Sequence, residues 1–447
     1  MAVGRLYGSV AAATAGTAQP QQAFNPPVIS DADNANRPIA GRAPEYAACP
    51  DCGLMQRLPR ISRPAVVECV RCGHVLVSRT AGRVDLPLAL ALCALLLLLP
   101  AVASPLMSVS SLGAQRESWL ATGARVLGEE GFRSLGALVL TCGILLPFLY
   151  TGALVWVLAS LHLRSDSATG RTRLGWLYRW VLVLRPWMML DVLLIGAFVA
   201  YTRLEAVAQV QIDPGGWCLL AATFVLLLAL TQLDDRTVWS ALPPHVDPPR
   251  PDAVSCTTCD LIVADAASHP RCPRCSARLH RRKPDSFRRT VALLLAGYLL
   301  YIPANLLPIL TLVRFGDLER NTIMSGVFEL IRNNLWPLAV IVFVASIVLP
   351  LMKLLGLTWM LLSIRAGSSR RLVARTRLFR TIDLIGRWSN IDVFMGSVLV
   401  GLLQFGALTS VHAGPGLLAF AAVVVITMFA TITFDPRLMW DAAQRRP

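Results

Sequence analysis

Eight of the eleven cysteines in this 447-residue chain fall into two groups of four that could each bind a metal ion. Each group consists of two Cys-x-x-Cys pairs, which are separated by sixteen residues in the first group and by twelve in the second. Two such pairs can direct four thiolates to one tetrahedral centre, which is the coordination that zinc prefers. The groups are Cys49, Cys52, Cys69 and Cys72, and Cys256, Cys259, Cys272 and Cys275.

This spacing favours zinc over rubredoxin-like iron, which would use the same four thiolates, and over disulfides, which require an oxidising compartment. Four cysteine ligands close the metal shell, so both zinc ions are predicted to be structural. The nearby His74, His269 and His280 are expected to lie outside the shell. Gly53 and Gly73 each follow a pair, where glycine tolerates unusual backbone angles.

The rest of the composition is that of a membrane protein. Hydrophobic residues make up 55% of the chain, charged residues make up 15%, and the mean hydropathy is +0.57. Apolar runs of this length predict an all-α integral membrane protein with eight spans. The predicted spans lie near 86–109, 134–160, 186–203, 215–233, 290–313, 336–364, 388–408 and 414–434.

Positive charge is concentrated in alternate loops. Segment 161–185 has five Arg and one Asp, 234–289 has ten Lys and Arg, and 365–387 has seven Arg. Segments 110–133 and 314–335 each balance three positive against three negative residues. Because basic loops stay in the cytoplasm, both termini and both cysteine groups are predicted to be cytoplasmic. The net charge of +15 then reflects topology, and no nucleic-acid partner is expected.

The second half of the chain repeats the first. Three prolines recur 203 positions later, as do the second cysteine pairs. The matching prolines are Pro100, Pro105 and Pro147, and Pro303, Pro308 and Pro350. Such a period predicts two tandem copies of one unit, a zinc ribbon followed by a four-span helical module. Proline frees a backbone carbonyl within a span, so these helix breaks either line a cavity or are packing kinks.

This organisation divides the chain into six segments. The first is rich in Ala, Pro, Gln and Asn and lacks the features of a signal peptide, so it is predicted to be disordered. The segments are an N-terminal tail (1–45), ribbon 1 (46–80), module 1 (81–240), ribbon 2 (253–283), module 2 (284–441) and a C-terminal tail (442–447).

Lys353 is a candidate functional residue inside a span. It lies three residues from Pro350, the midpoint of span 336–364, and therefore about 4.5 Å from the midplane. From there its side chain cannot easily reach the interface. A central lysine costs about 2.5–3.5 kcal/mol on insertion scales, so it should face a partner inside the bundle. Module 1 has Tyr150 at the corresponding position, which assigns the working site to module 2.

Four further residues are predicted to form an intramembrane polar site with Lys353. Asp392, about one turn inside the seventh span, is the expected partner. Asp383 and Glu329 are the alternative partners, and Arg387 adds a second cation. Intramembrane charges are functional by default, and a structural ion pair is the alternative interpretation.

Two segments of module 2 resemble the paraquat-inducible protein A (PqiA/LetA-like) family. They are Ile385–Phe394 (IGRWSNIDVF) and Phe434–Asp441 (FDPRLMWD). The resemblance covers residues 46–441 and implies a Gram-negative inner-membrane protein that works beside a periplasmic MCE-domain partner. Such systems are expected to move lipids between membranes or to maintain the envelope. Module 1 departs from the pattern at Arg185–Asp191 (RPWMMLD).

The resemblance therefore implies a non-enzymatic component of a lipid transport system. It would handle membrane lipids in a cavity of module 2 and exchange them with the MCE partner. A proton-coupled or small-solute transporter would also suit the repeat, the broken helices and the buried lysine. A redox sensor that uses the thiolates is the third hypothesis.

Overall fold

The structure is a computed structural model, and most of the chain after the N-terminal tail is described. The predicted disordered tail, 1–45, lies outside the described residues. The described residues are 46–58, 66–78, 84–111, 114–163, 168–205, 209–242, 253–264, 270–314, 317–402 and 409–444.

Ribbon 1 consists of two short antiparallel hairpins, each of which encloses one Cys-x-x-Cys pair. Strand β1 (Tyr46–Ala48) pairs with β2 (Met55–Arg57). Strand β3 (Val66–Glu68) pairs with β4 (Val75–Ser78). The hairpins bring the two cysteine pairs together.

Module 1 combines long apolar helices with one small sheet. Its helices are α1 (Asp85–Ala103), α2 (Thr122–Glu129), α3 (Arg133–Leu140), α4 (Leu146–His162), α5 (Ala168–Leu184), α6 (Leu190–Glu205), α7 (Pro214–Gln232) and α8 (Asp235–Ser240). A π-helical turn (Thr141–Leu145) joins α3 to α4, and a 3-10 turn (Arg185–Trp187) follows α5. Strand β5 (Met107–Ser111) lies between β6 (Ala114–Ser118) and β7 (Gln209–Ile212).

Ribbon 2 and module 2 follow the same order of elements. In ribbon 2, β8 (Val254–Ser255) pairs with β9 (Ile262–Val263). The helices of module 2 are α9 (Ser286–Leu306), α10 (Ile323–Arg332), α11 (Trp336–Phe343), α12 (Leu349–Arg365), α13 (Leu372–Ile385), α14 (Ile391–Leu402), α15 (Pro415–Thr433) and α16 (Arg437–Gln444). A π-helical turn (Val344–Val348) precedes α12, and a 3-10 turn (Gly386–Asn390) follows α13. Strand β10 (Leu310–Arg314) lies between β11 (Asp317–Asn321) and β12 (Thr409–Ala413).

The described helices include seven that are long and apolar enough to cross a membrane. They overlap seven of the predicted spans, although the stretch Arg173–Glu205 is longer than the predicted 186–203 because it also includes most of α5. The remaining prediction, 388–408, corresponds to α14, whose described part has 12 residues. Residues 403–408 of that span lie outside the described residues. Helix α16 continues to Gln444, three residues beyond the predicted end of module 2.

The expectation of an all-α protein is incomplete, because each module carries a three-stranded sheet. The sheets lie where α1 and α9 end and where α7 and α15 begin, and we call this end the sheet side. The opposite end, where ribbon 2 leads into α9, is the ribbon side. In the sequence, the first residues of β5 and β10 continue the apolar runs of the predicted spans 86–109 and 290–313, whereas β6, with Arg116 and Glu117, is typical of a polar loop.

Local sequence accounts for several helix starts. Pro214 and Pro415 open α7 and α15, where the missing N–H of proline costs no helical hydrogen bond. Thr322 caps α10 through a reciprocal pair of hydrogen bonds with Ser325. Asp234 caps α8 by accepting from the backbone N–H of Arg236.

Helix α14 is the element around which the two modules pack. All of its residues are buried, although it belongs to module 2, because α6 and α2 of module 1 cover it. Two glycines permit this approach: a Cβ on Gly123 would lie 2.1 Å from the Ser397 carbonyl oxygen, and one on Gly196 would lie 3.1 Å from that of Ile391. Any larger residue at Gly123 would therefore separate the helices.

Candidate functional site

The four cysteine pairs share one backbone conformation. The backbone N–H of the first cysteine of each pair donates to the carbonyl five residues later. The residue after the second cysteine has a positive φ of 54–74° in every case. Ribbon 1 uses Gly53 and Gly73 there, as predicted, whereas ribbon 2 adopts the same conformation with Asp260 and Ser276. These turns place both sulfurs of a pair on one side.

The cysteine groups have the geometry of metal sites. All eight side chains are buried, and the ligand atoms of each group lie within 4.8 Å of one another. The S···S distances between paired knuckles are 3.4–3.6 Å. A disulfide bond needs about 2.05 Å. A tetrahedral ion with metal–sulfur bonds of about 2.3 Å places its sulfurs about 3.8 Å apart. Each group therefore fits one metal ion better than two disulfides.

The described histidines near the ribbons lie outside the two cysteine groups. His74 Nδ1 lies 2.9 Å from Asp51 Oδ2, so it contacts a carboxylate beside the metal group. Burial acts to raise the pKa of Asp51, but hydrogen bonds from His74 and Arg380 outweigh burial and lower it below its ordinary value. Neither His74 nor His280 belongs to a potential metal group among the described residues. His269 lies outside the described residues.

Lys353 is buried as expected, with only 1% of its surface exposed. Its Nζ atom donates hydrogen bonds to the Gly386 carbonyl (2.5 Å) and to Thr427 Oγ1 (3.5 Å). Asp383 is the carboxylate that acts on Lys353 electrostatically. Burial raises the pKa of Asp383 even though Lys283 and Lys353 are nearby.

Asp392 belongs to a different cluster, so the predicted pair with Lys353 does not form. The Asp392 carboxylate lies beside Ser346 of the π-helical turn and Arg203 of α6. The physical reason is that α12 directs Lys353 toward the turn before α14, whereas Asp392 in the first turn of α14 faces module 1. The side chain of Arg387 lies outside the described residues.

A small cavity of about 60 Å³ lies against this second cluster. It combines Arg203 of module 1 with Glu329 and Asp392 of module 2. Its other lining residues are Ile309, Leu310, Asn321, Thr322, Ile323, Gly326, Val342 and Met395. Asp392 Oδ1 and Arg203 Nε are buried without a hydrogen-bond partner in the described structure. Such atoms rarely stay unpaired, so a small polar group that enters the cavity could bond them beside the apolar lining residues.

Sequence reasoning missed Arg203, Gly386 and Thr427. Arg203 is the last residue of the predicted span 186–203, and nothing in its local sequence indicates a partner in the other module. The sequence does distinguish Gly386, because the two modules differ there: module 1 has Arg185 at the corresponding position. A Cβ on Gly386 would lie 2.9 Å from Lys353 Cε, so glycine makes room for the lysine.

Four of the predicted helix-break prolines lie within membrane helices. Pro100 and Pro303 lie inside α1 and α9. Pro147 and Pro350 are the second residues of α4 and α12, directly after the π-helical turns. The wider π turn is one way to accommodate a proline within a continuous span, because it shifts the hydrogen-bond register at the missing N–H.

The other two prolines, Pro105 and Pro308, lie beyond the helices, which corrects their assignment as helix breaks. Each falls two residues after its helix ends. Their carbonyls accept from the backbone N–H groups of Gly215 and Gly416 at 3.0 Å. They therefore tie α1 to α7 and α9 to α15 at the sheet side.

Comparisons with known proteins agree with this architecture. The family profile described as paraquat-inducible protein A matches twice, at residues 84–243 and 287–444. The chain is 32% identical over 413 residues to the intermembrane transport protein PqiA of Escherichia coli (strain K12), which covers 89% of this chain and 96% of that protein.

Two further relatives are similar over the same share of the chain. Lipophilic envelope-spanning tunnel protein A of Escherichia coli (strain K12) is 31% identical over 404 residues, 89% of this chain and 92% of that protein. A probable intermembrane transport protein of Haemophilus influenzae is 25% identical over 408 residues, which cover 89% of this chain and 96% of that protein. No solved structure matches. With two profile matches that together span most of modules 1 and 2, the chain belongs to the paraquat-inducible protein A family.

Proposed function

We propose that this protein is an inner-membrane component of a lipid transport system. It holds lipid in the cavity at module 2 and exchanges it with a periplasmic MCE-domain partner. The names of its relatives, an intermembrane transport protein and a lipophilic envelope-spanning tunnel protein, support membrane-to-membrane transport of lipophilic molecules.

The observation that carries the proposal is the composition of the cavity. Arg203, Glu329 and Asp392 supply one cation and two carboxylates, while Leu310, Val342 and Met395 are among the apolar residues around them. If movement of the modules enlarges the cavity, a lipid headgroup can pair with the charged groups and its acyl chains can contact the apolar residues beside them. Lining from both modules would let their relative movement open or close the site.

The arrangement in the membrane is also a proposal. Both ribbons lie in the cytoplasm, each holds one structural zinc ion, and the chain crosses the membrane eight times as a tandem repeat. The shared order of elements in modules 1 and 2 supports duplication. The eighth crossing is supported by α14, which leads from the 3-10 turn to β12 on the sheet side.

Photo-crosslinking tests lipid occupancy directly. A diazirine amino acid at Val342, which lines the cavity, should capture phospholipid in native membranes. The matched control is Val139, which is equally buried at the corresponding position of module 1. Lipid capture at 342 that does not exceed capture at 139 would contradict the proposal.

The second candidate is a proton-coupled or small-solute transporter, favoured by the buried amine of Lys353. In proteoliposomes with an internal pH dye, a proton-coupled transporter requires a proton flux that Lys353→Met abolishes. Lipid crosslinking at Val342 without such a flux would reject proton coupling.

A further inference from the structure

The two ribbons are crossed over the modules. Ribbon 1 precedes module 1 in the chain, yet it packs on module 2 through α13 and α16. Ribbon 2 bonds module 2 through Arg282 and Lys283 at its end, yet its second cysteine turn packs on α5 of module 1. On that helix, a Cβ at Gly175 would lie only 2.2 Å from the Arg274 carbonyl oxygen, so the backbones are in close contact. Each ribbon thus bridges from its own module to the other.

Arg380 of α13 is the main contact of ribbon 1. Its Nε donates to Asp51 Oδ2 at 2.5 Å, and its Nη1 donates to the Gly73 carbonyl at 3.2 Å. Its Nη2 lies 3.3 Å from the Cys72 carbonyl oxygen and 3.2 Å from Cys72 Sγ. One guanidinium therefore contacts a metal-ligand sulfur, the turn that presents it and an adjacent carboxylate. Hydrogen bonds to a ligand thiolate hold it in place and stabilise its negative charge.

Arg179 of α5 makes the corresponding contact with ribbon 2. It lies 201 positions before Arg380, and its Nη1 donates to the Ser276 carbonyl at 3.1 Å. Ser276 follows the last cysteine of ribbon 2 as Gly73 follows that of ribbon 1. Ribbon 2, however, has Thr258 where ribbon 1 has Asp51. Both halves therefore share the crossed docking. The contact of an arginine with a carboxylate beside the cysteines, Arg380 with Asp51, occurs in ribbon 1, and we call it the carboxylate clamp.

Helix α13 connects this clamp to the intramembrane lysine. Arg380 lies six residues before Gly386, about 9 Å along the helix. The Gly386 carbonyl is the acceptor for Lys353 Nζ. Two other contacts hold the same region: Arg437 Nε donates to the Pro50 carbonyl at 2.9 Å, and Arg71 stacks on the Trp440 ring at 4.5 Å.

We propose that Arg380 is a positioning residue through which the metal of ribbon 1 fixes α13 and, with it, the acceptor of Lys353. The two ribbons together act as crossed clamps, so that loss of one metal loosens the module that the ribbon does not precede. This inference rests on metal binding by the ribbons and not on the identity of the transported molecule. A negative result in the lipid crosslinking experiment would therefore leave this inference unaffected.

The first test follows metal retention in the purified full-length protein, with a chromophoric chelator as the probe. Loss of an outer-shell partner typically costs about 10–100-fold in metal affinity. Arg380→Gln keeps all eight cysteines and should speed the release of one of two metal equivalents by at least about tenfold. Arg179→Gln should have a smaller effect, because that side chain bonds only a carbonyl in ribbon 2. Equal release from both variants and the unsubstituted protein would overturn the clamp.

The second test reads the crossed coupling by amide hydrogen exchange. Cys72→Ser should speed exchange in segment 381–392 of module 2, and Cys275→Ser should do so in segment 180–191 of module 1. Arg380→Gln should reproduce the module 2 effect with every metal ligand intact, which separates coupling from loss of the ribbon fold. Exchange that rises in the module adjacent in sequence, or equally in both modules, would refute the proposal.

Discussion

The contact between Lys353 and Gly386 allows a functional test with little change in stability. Lys353→Met removes a buried charge and keeps most of the side-chain volume. The Gly386 carbonyl then loses its donor, which costs about 1–3 kcal/mol. Removing a buried ammonium group acts in the opposite direction, because its described hydrogen bonds go to a carbonyl and a hydroxyl and not to a carboxylate. We therefore expect the free energy of unfolding to change by less than about 2 kcal/mol.

Gly386→Ala perturbs the same contact without removing the charge. The added Cβ would lie 2.9 Å from Lys353 Cε and 3.4 Å from Nζ, so the lysine must move by a few tenths of an ångström. A flexible chain can move that far, but a short hydrogen bond to a charged donor, worth about 1.5–3 kcal/mol, is weakened. If the position of the ammonium matters, this variant should lose activity in part and Lys353→Met should lose it completely.

The assay measures membrane abundance, thermal unfolding in detergent and restoration of envelope resistance in cells that lack the chain. Tyr150→Phe in module 1 is the matched control and should be mild. A Lys353→Met variant that accumulates normally and restores full resistance would refute a working site at Lys353.

Four further outcomes are expected. Elemental analysis should find about two zinc ions per chain, and Cys256→Ser should halve the content, because a tetrahedral site rarely survives on three thiolates; mapped disulfides would contradict this. Impermeant maleimide should label Arg125→Cys in intact cells but not Arg370→Cys, and the reverse pattern would overturn the proposed topology. Lys353→Met and Asp392→Asn should add in unfolding free energy within about 0.5 kcal/mol, since they share no partner, and a larger coupling would restore the predicted pair. Glu130→Ala should destabilise by about 1–3 kcal/mol, because Glu130 accepts from the backbone N–H of Ala413 (2.9 Å) across the modules; unchanged unfolding would show that this contact is dispensable.

The sequence was sufficient to locate the metal groups and the membrane helices. Both depend on short-range patterns: a cysteine pair forms its turn within a few residues, and a span is a continuous apolar run. The predicted span 336–364 differs by one residue from the observed helical segment, which ends at Arg365. The predicted spans 86–109 and 290–313 were too long, because the chain leaves α1 and α9 to form β5 and β10.

Features that depend on contacts between distant segments were not predictable. The sheet strands were not recognised, because β5 and β10 continue apolar runs and their partners are short and largely polar. They are stable because they pair with β7 and β12 from about one hundred residues away. A π-helical turn has no residue signature beyond the proline that follows it. The crossed ribbons depend on contacts such as Arg380 with Asp51, which are 329 positions apart.

The same limit explains why Asp392 was assigned the wrong partner. Within module 2, Lys353 is the cation that lies at the centre of a predicted span, and a repeat analysed alone suggests that the two charges pair. The structure places α14 between the modules, so Asp392 lies near Arg203, which comes from the other copy. Pairing across a duplication cannot be read from either copy, because each sequence reports only its own periodicity.

Each module has a cation near the turn that precedes its sixth helix, but the cation comes from a different residue in each. This difference bears on which module contains the functional site. In module 1 the residue at the turn is Arg185, and the helix position has Tyr150. Arg185 lies 3.5 Å from Asp235, whose other oxygen accepts from Tyr178 at 2.5 Å, so this cation is already neutralised. In module 2 the helix supplies Lys353, whose described hydrogen bonds go to the Gly386 carbonyl of the turn and to Thr427 Oγ1. A cation held by neutral acceptors can still pair with an incoming anion or give up a proton, whereas one fixed to a carboxylate would first have to break that pair. The physical asymmetry therefore favours module 2 as the working half, independently of the resemblance between its sequence and the family.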